Sequence, residues 1–311
     1  MPYFDNVLVI ANPAARNGEG GRGAALLHAA DAAGVSPFRR FRVAFTHAPG
    51  HAKELAAAAE GFSSVVALGG DGVVHEAMAG LMAIPREKRP VFGLIPCGNG
   101  NDYARTLGMP LDFDGALRAL SSARPRATDA GLVNGEPFVQ TLSFGLDAAI
   151  ALGTHERRIR TKKTGTRLFL EEGIDQLLFH RQEYACRLSL DGGRETRASL
   201  FLFAVQIGPS YGGGFKVCPD ADPCDGLFDY CIAHPPISLA KAARVFLKAK
   251  DGKHTGYTDV LTFGRAAELS LSFDTPPAVQ ADGEALAGRH FEISMRPREI
   301  DVLFATEGAG A

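Results

Sequence analysis

No stretch of this 311-residue chain reaches 18 consecutive apolar residues, which excludes a membrane-spanning helix. Neither sign of charge dominates. The 33 Lys and Arg face 35 Asp and Glu, and a net charge of -2 gives no pull toward nucleic acid. Cys97, Cys186, Cys218, Cys224 and Cys231 form no Cys-x-x-Cys pair and no ligand-spaced cluster with histidine. Their odd number and irregular spacing argue against a disulfide framework or a zinc site. The opening MPYFDNVLVIANP has no basic leader, so the chain is expected to be cytoplasmic. Repeats and low-complexity linkers are missing as well. What remains is ordinary globular composition, 46% hydrophobic and 22% charged, with apolar surface enough to exclude disorder along most of the chain. At roughly 150 residues per domain, two domains are expected.

The first 125 or so residues alternate short apolar runs with helical stretches. Strands are expected at 6–11, 41–46, 64–68 and 91–95, and helices at 24–33, 52–60, 71–81 and 103–107. Continuous apolar runs mark strands buried on both faces, hence a parallel α/β sheet. Beyond about residue 128 the pattern changes to short β-rich segments, at 137–144, 185–190, 199–207, 227–233, 260–263, 268–273 and 291–295. Two helical interruptions lie near 165–180 and 237–250. Consecutive strands without long helices between them imply an antiparallel sandwich. The expected fold is thus an N-terminal parallel α/β nucleotide-binding domain (1–127) with a C-terminal antiparallel β-sandwich (128–311). A last strand near 298–306 is free to return to the first domain.

Three Gly- and Asn-rich turns follow three of the parallel strands: Asn12-Pro13-Ala14-Ala15-Arg16-Asn17-Gly18, Gly69-Gly70-Asp71-Gly72, and Pro96-Cys97-Gly98-Asn99-Gly100-Asn101-Asp102. Parallel strands bring such turns to one edge of the sheet, where ligands bind. Glycines there let the backbone approach a phosphate, and a helix N-terminus supplies unpaired amide donors. Each turn alone reads equally well as a tight turn. Asp71 is the unusual member, because a carboxylate aimed at phosphate repels it unless it holds Mg²⁺ or takes a proton from an attacking hydroxyl. Asp102 is expected to cap its own helix or brace its loop.

The paired Gly-Asp-Gly and Gly-x-x-Asn-Asp loops, with Asn12-Pro13 and Glu76, resemble the diacylglycerol kinase catalytic-domain family, which includes bacterial lipid kinases and the sphingosine kinases. Thr46 with His51-Ala52, Ser143-Phe144-Gly145, Asp225-Gly226-Leu227 and Asp282-Gly283-Glu284 extend the likeness through nearly the whole chain. It departs at Val73 and Asn99, where the family usually carries Thr or Ser. The resemblance implies an ATP- and Mg²⁺-dependent lipid kinase with a nucleotide domain and a β-sandwich. It places Asn12, Arg16, Thr46, Gly70, Gly72, Gly98, Asn99 and Glu284 at ATP. It makes Asp71 and Asp282 the two candidate general bases, and puts a structural Mg²⁺ on Asp222, Asp225 and the Leu227 carbonyl.

From the residues alone, Asp282-Gly283 reads as a two-residue hairpin turn, and the segment around Asp222 as a solvated acidic turn. The basic run Arg157, Arg158, Arg160, Lys162, Lys163 and Arg167 would suit anionic headgroups, nucleotide phosphates or plain solvent. The partners expected are a lipid substrate at the membrane surface, with transient peripheral contact, and a second copy of the chain paired along a sandwich edge. Two other readings stay open: an NAD kinase-like activity, and a non-catalytic nucleotide- or lipid-binding member of the same fold.

Overall fold

The computed structural model describes residues 2–161 and 166–306, and the chain divides into two units. One runs up to Thr128 and resumes at Arg298; the other is Asp129–Pro297. In the first, β1 (Val7–Ala11), α1 (Glu19–Ala32), β2 (Phe41–Phe45), α2 (His51–Ala57), β3 (Ser64–Gly69), α3 (Asp71–Met82), β4 (Val91–Pro96), α4 (Asp102–Thr106) and α5 (Phe113–Ser122) follow one another. Pairing is parallel in the order β2-β1-β3-β4, with Val9 opposite Val43 and Val66, and Leu68 opposite Ile95. Every residue of β1 and β3 is buried, which is why both read as unbroken apolar runs. α5, unmarked in the sequence reading, is capped by Asp112, whose carboxylate accepts from Gly115 N–H at 2.8 Å. It buries Ala116, Leu117, Ala119 and Leu120.

The strand β5 (Arg124–Val133) carries the chain into the second unit. There follow β6 (Glu136–Phe138), β7 (Thr141–Gly145), α6 (Leu146–Thr161), α7 (Thr166–Phe179), β8 (Tyr184–Leu190), β9 (Thr196–Leu200), β10 (Leu202–Gln206), β11 (Phe228–Ala233), α8 (Leu239–Ala249), β12 (Leu261–Ala266), β13 (Glu268–Phe273), β14 (Val279–Ala281) and β15 (Glu284–Leu286). The last strand, β16 (His290–Phe304), pairs antiparallel with β13 at its start. Its end lies parallel to β4 in the first unit, Val302 opposite Phe92.

Two sheets form the sandwich, an antiparallel one in the order β12-β11-β10-β7-β14-β15 and a second built on β13, β8 and β9. Between them Phe138, Phe144, Phe203, Phe228, Phe273 and Phe291 are buried, with the Phe144 ring 5.1 Å from Phe291 and 5.5 Å from Phe273. Each such side chain contributes roughly 1.5–3 kcal/mol of burial. A second core lies around α6, α7 and α8 and includes Phe169, Phe201, Tyr211 and Phe215.

Two expected strands are each split in the structure. The run 137–144 breaks because the N–H groups of Val139, Gln140 and Thr141 turn to the Asp282 carboxylate, at 2.7, 2.9 and 2.9 Å. The run 199–207 breaks at Phe201, where the chain leaves one sheet for the other and the ring is buried in the helical core. The stretch read as a basic run is largely helical. Arg157, Arg158 and Arg160 lie in α6 and Arg167 in α7, whereas Lys162 and Lys163 fall outside the described residues.

Candidate phosphate-transfer site

Parallel pairing puts the ends of β1, β2, β3 and β4 on one edge of the first unit's sheet. Asn12 folds its loop: its side-chain Oδ1 accepts from Ala14 N–H at 2.9 Å and its carbonyl from Ala15 N–H at 3.1 Å. Arg16 and Asn17 follow with φ of 45° and 59°, which leaves Arg16 exposed. Thr46, buried, is held by its N–H to the Ala11 carbonyl at 2.9 Å. The loop after Thr46 is fastened to α3 by Glu76, whose two carboxylate oxygens accept from Gly50 and Ala52 N–H at 2.9 and 3.0 Å. Glu76 entered the sequence reading only as part of a motif. Its spacing from the loop it clamps is legible only once α2 and α3 are known to pack together.

The other two loops interlock. Cys97 N–H donates to the Gly69 carbonyl at 2.8 Å, and a Cβ on Gly70 would stand 2.9 Å from Gly98 Cα. Glycine is therefore required on both sides of this backbone-to-backbone contact. Asn101, at φ 53°, closes the second loop by accepting from Gly98 N–H at 2.8 Å and donating to its carbonyl at 3.1 Å. α3 begins at Gly70 with no side-chain cap, and Gly72 faces open space, so its first turn presents uncapped amide donors.

Asp71 is held over this edge by Tyr103 N–H, 3.2 Å from Oδ1. Its Oδ2 and that of Asp102 lie 2.7 and 2.9 Å from one point, the position a Cβ on Gly100 would take. Asp102 is thus not the cap of α4 but its buried first residue, and it brings a second carboxylate beside Asp71. Two carboxylates beside uncapped amide donors suit a Mg²⁺ held mainly by substrate phosphates. Val73, the position without a hydroxyl, is buried and folded back onto Gly69. Asn99 keeps a buried Oδ1 with no partner. Cys97 is no nucleophile, since burial pushes its thiol up to about 11.

Two groups of expected site residues lie in the second unit. Asp282 and Gly283 form the turn between β14 and β15, with φ of 50° and 93°, the two-residue hairpin expected from the residues. Both Asp282 oxygens accept backbone N–H groups, as described above, while Glu284 is exposed on β15. The acidic turn is filled by the chain's own donors. Asp222 accepts from Cys224 N–H and Asp225 from Leu227 N–H, both at 3.0 Å, and the Arg265 guanidinium pairs with Asp225 and, at 3.3 Å, with Asp229. Among the described residues no group of three His, Cys, Asp or Glu is disposed to hold a metal ion.

A feature the sequence did not disclose is a cavity of about 70 Å³, partly open to solvent, within the second unit. Its lining is apolar, including Ile150, Phe169, Phe215, Val245 and Phe246, with Asp147 and His254 as polar exceptions. Asp147 is fully buried with Oδ2 unpartnered, and burial, offset in part by a Ser143 hydrogen bond, pushes it up to about 7. Burial lowers His254, whose Nε2 lies 3.0 Å from the Val217 carbonyl while Nδ1 is unpartnered.

Residues 6–133 match the diacylglycerol kinase catalytic domain, and residues 140–304 the YegS C-terminal NAD kinase beta sandwich-like domain. A Chromohalobacter salexigens protein named "Probable lipid kinase YegS-like" is 29% identical over 80% of this chain and 78% of its own. A Yersinia pestis protein of the same name is 28% identical over 76% and 77%. A diacylglycerol kinase structure from Bacillus anthracis superposes with a TM-score of 0.72 at 19% identity, covering 97% of each chain. An Archaeoglobus fulgidus NAD kinase solved with ATP gives 0.53 at 14%, over 97% of this chain and 94% of that one. The chain belongs to the family that joins a diacylglycerol kinase catalytic domain to a YegS-type NAD kinase-like β-sandwich.

Proposed function

We propose that the protein is an ATP-dependent lipid kinase that transfers the γ-phosphoryl group to a lipid hydroxyl. The observation that carries this reading is the placement of Asp71 beside Asp102, at the uncapped start of α3, where two glycine loops interlock. Amides of the α3 first turn and the glycine loops would bind the phosphates, which brings reactants together and stabilises charge without covalent chemistry. Asp71 would accept the acceptor hydroxyl's proton as the new O–P bond forms and the bond to ADP breaks. Mg²⁺, when bound with the nucleotide, would supply charge neutralisation on the phosphates, and Asp102 is the residue that would hold it beside Asp71. The acidic turn of the second unit takes no part in these steps. Support for a lipid acceptor comes from the apolar lining of this cavity and from the relatives named as lipid kinases.

The test is transfer from radiolabelled ATP to a panel of lipids in mixed micelles, with Asp71→Asn beside the wild type. A labelled lipid lost in the variant is expected. Labelling of NAD instead of any lipid would overturn the acceptor class. ATP binding without transfer to any acceptor would favour a non-catalytic member of the fold.

A further inference from the structure

The two helices over the apolar cavity are apolar on both faces. Inward, α7 and α8 line it with Phe169, Leu177, Val245 and Phe246. Outward, Ile174, Leu178 and Phe179 on α7 are 49%, 49% and 72% exposed, and Leu239 and Leu247 on α8 are 40% and 56% exposed. These five are half of the ten large hydrophobic side chains exposed among the described residues, concentrated on two short helices.

Two contacts show that they form one strip. A Cβ on Gly173 would run into the Phe246 ring, so α7 and α8 touch there. Arg181, just past the end of α7, donates to the carbonyl of Ile237, just before α8. Residue 173 thus stands beside 246 and residue 181 beside 237, which makes the helices antiparallel neighbours. Leu178 and Phe179 then fall near Leu239, and Ile174 near Leu247. At 1.5 Å per residue the strip from Leu239 to Leu247 is about 12 Å long.

Charge on α8 is of one sign. Residues 239–250 carry Lys241, Arg244, Lys248 and Lys250 and no acid. Lys241 is matched by Asp259, which leaves Arg244, Lys248 and Lys250 exposed. The acids of α7 are each paired: Glu172 and Asp175 with Arg157 of α6 at 2.7 and 3.6 Å, and Glu171 with Arg167 of α7 itself at 3.1 Å. Of the acids flanking the pair, Asp251 is 3.8 Å from Lys253, and Glu183 is exposed beyond α7.

We infer that this strip is the membrane-docking face, with its occupant the interfacial layer of an anionic bilayer. Leu178, Phe179, Leu239 and Leu247 enter among the acyl chains, and Arg244, Lys248 and Lys250 meet headgroup phosphates, as in helices that lie in the interface. A second copy fits poorly, because a two-fold pairing through α8 would set these cations against their own counterparts. The inference builds on the lipid-kinase reading, since it presents the cavity wall to the phase that holds the substrate, but its test needs no catalysis.

Full-length protein without nucleotide is sedimented with phosphatidylcholine vesicles, with and without phosphatidylglycerol. Phe179→Ser/Leu247→Ser and Arg244→Gln/Lys248→Gln are run in parallel, all at exposed positions. Wild type is expected to bind anionic vesicles about tenfold more than neutral ones. The serine pair should lose binding to both kinds, and the glutamine pair should lose the anionic preference alone. Activity on a short-chain, micelle-free acceptor should stay at the wild-type level in both. Wild type left in the supernatant with anionic vesicles, or serine variants that bind as wild type does, would overturn the docking face. So would light scattering that shows a wild-type dimer split by the serine substitutions. Vesicle binding without lipid phosphorylation would overturn the kinase reading instead.

Discussion

Asp71 and Asp282 both precede a glycine, yet their surroundings assign them different work. One Asp71 oxygen takes a long bond from Tyr103 N–H, and the other converges with Asp102 above the glycine loops. The Asp282 carboxylate accepts three backbone amides and thereby shapes the turn between β6 and β7. Asparagine can replace neither charge, but the losses should differ. Asp71→Asn is expected to lower kcat by roughly 10²–10⁴-fold, the range for a positioned base, with an unchanged melting temperature. Asp282→Asn should cost about 1–3 kcal/mol in urea unfolding, because its amide nitrogen cannot accept one of the three N–H groups. A large rate loss with full stability in Asp282→Asn would reverse the two roles. At the loop contact itself, Gly98→Ala drives a Cβ into Gly70 Cα. Neither backbone can retreat without opening a loop, so a rise in KM for ATP together with about 1–3 kcal/mol of destabilisation is expected.

Elements announced themselves in the sequence where their whole surroundings were apolar. β1, β3 and β4 are buried nearly throughout and read as unbroken runs, and the turns after β3 and β4 were legible by their glycines, of which Gly70 and Gly98 leave no room for a Cβ. α6 was hidden because its apolar half, Leu146 to Ile150, gives way to a charged half, and charge reads as loop until a partner is known. That partner for Arg157 is Glu172, fifteen residues on. The cavity and Asp147 were equally illegible, since the lining comes from segments more than a hundred residues apart. The return of β16 shows how one side chain can fix an element. Arg89, its side chain 6% exposed, donates to the carbonyls of Met82, Ile84 and Glu299 and to the Glu299 carboxylate at 3.0 Å. Arg89→Met would leave Glu299 facing carbonyls without their donor. A loss of about 3–5 kcal/mol, the usual penalty for breaking a buried pair from one side, is expected by urea unfolding.

For the molecule as a whole, pH dependence follows from the buried acid of the second unit. Burial raises Asp147 from the ordinary carboxylate value near 4 to about 7. Between those values the folded chain keeps a proton that the unfolded chain releases. Stability contributed by this group is therefore fully present below about pH 4, falls as pH rises toward 7, and is level above that. About three units at 1.36 kcal/mol each make the penalty about 4 kcal/mol at neutral pH. Asp147→Asn removes the titration and retains a polar group of the same shape beside Ser143. Its gain over wild type should thus grow from pH 4 to pH 7 and then hold constant, followed by thermal melts at fixed salt. The opposite slope would mean that Asp147 is ionised in the folded state.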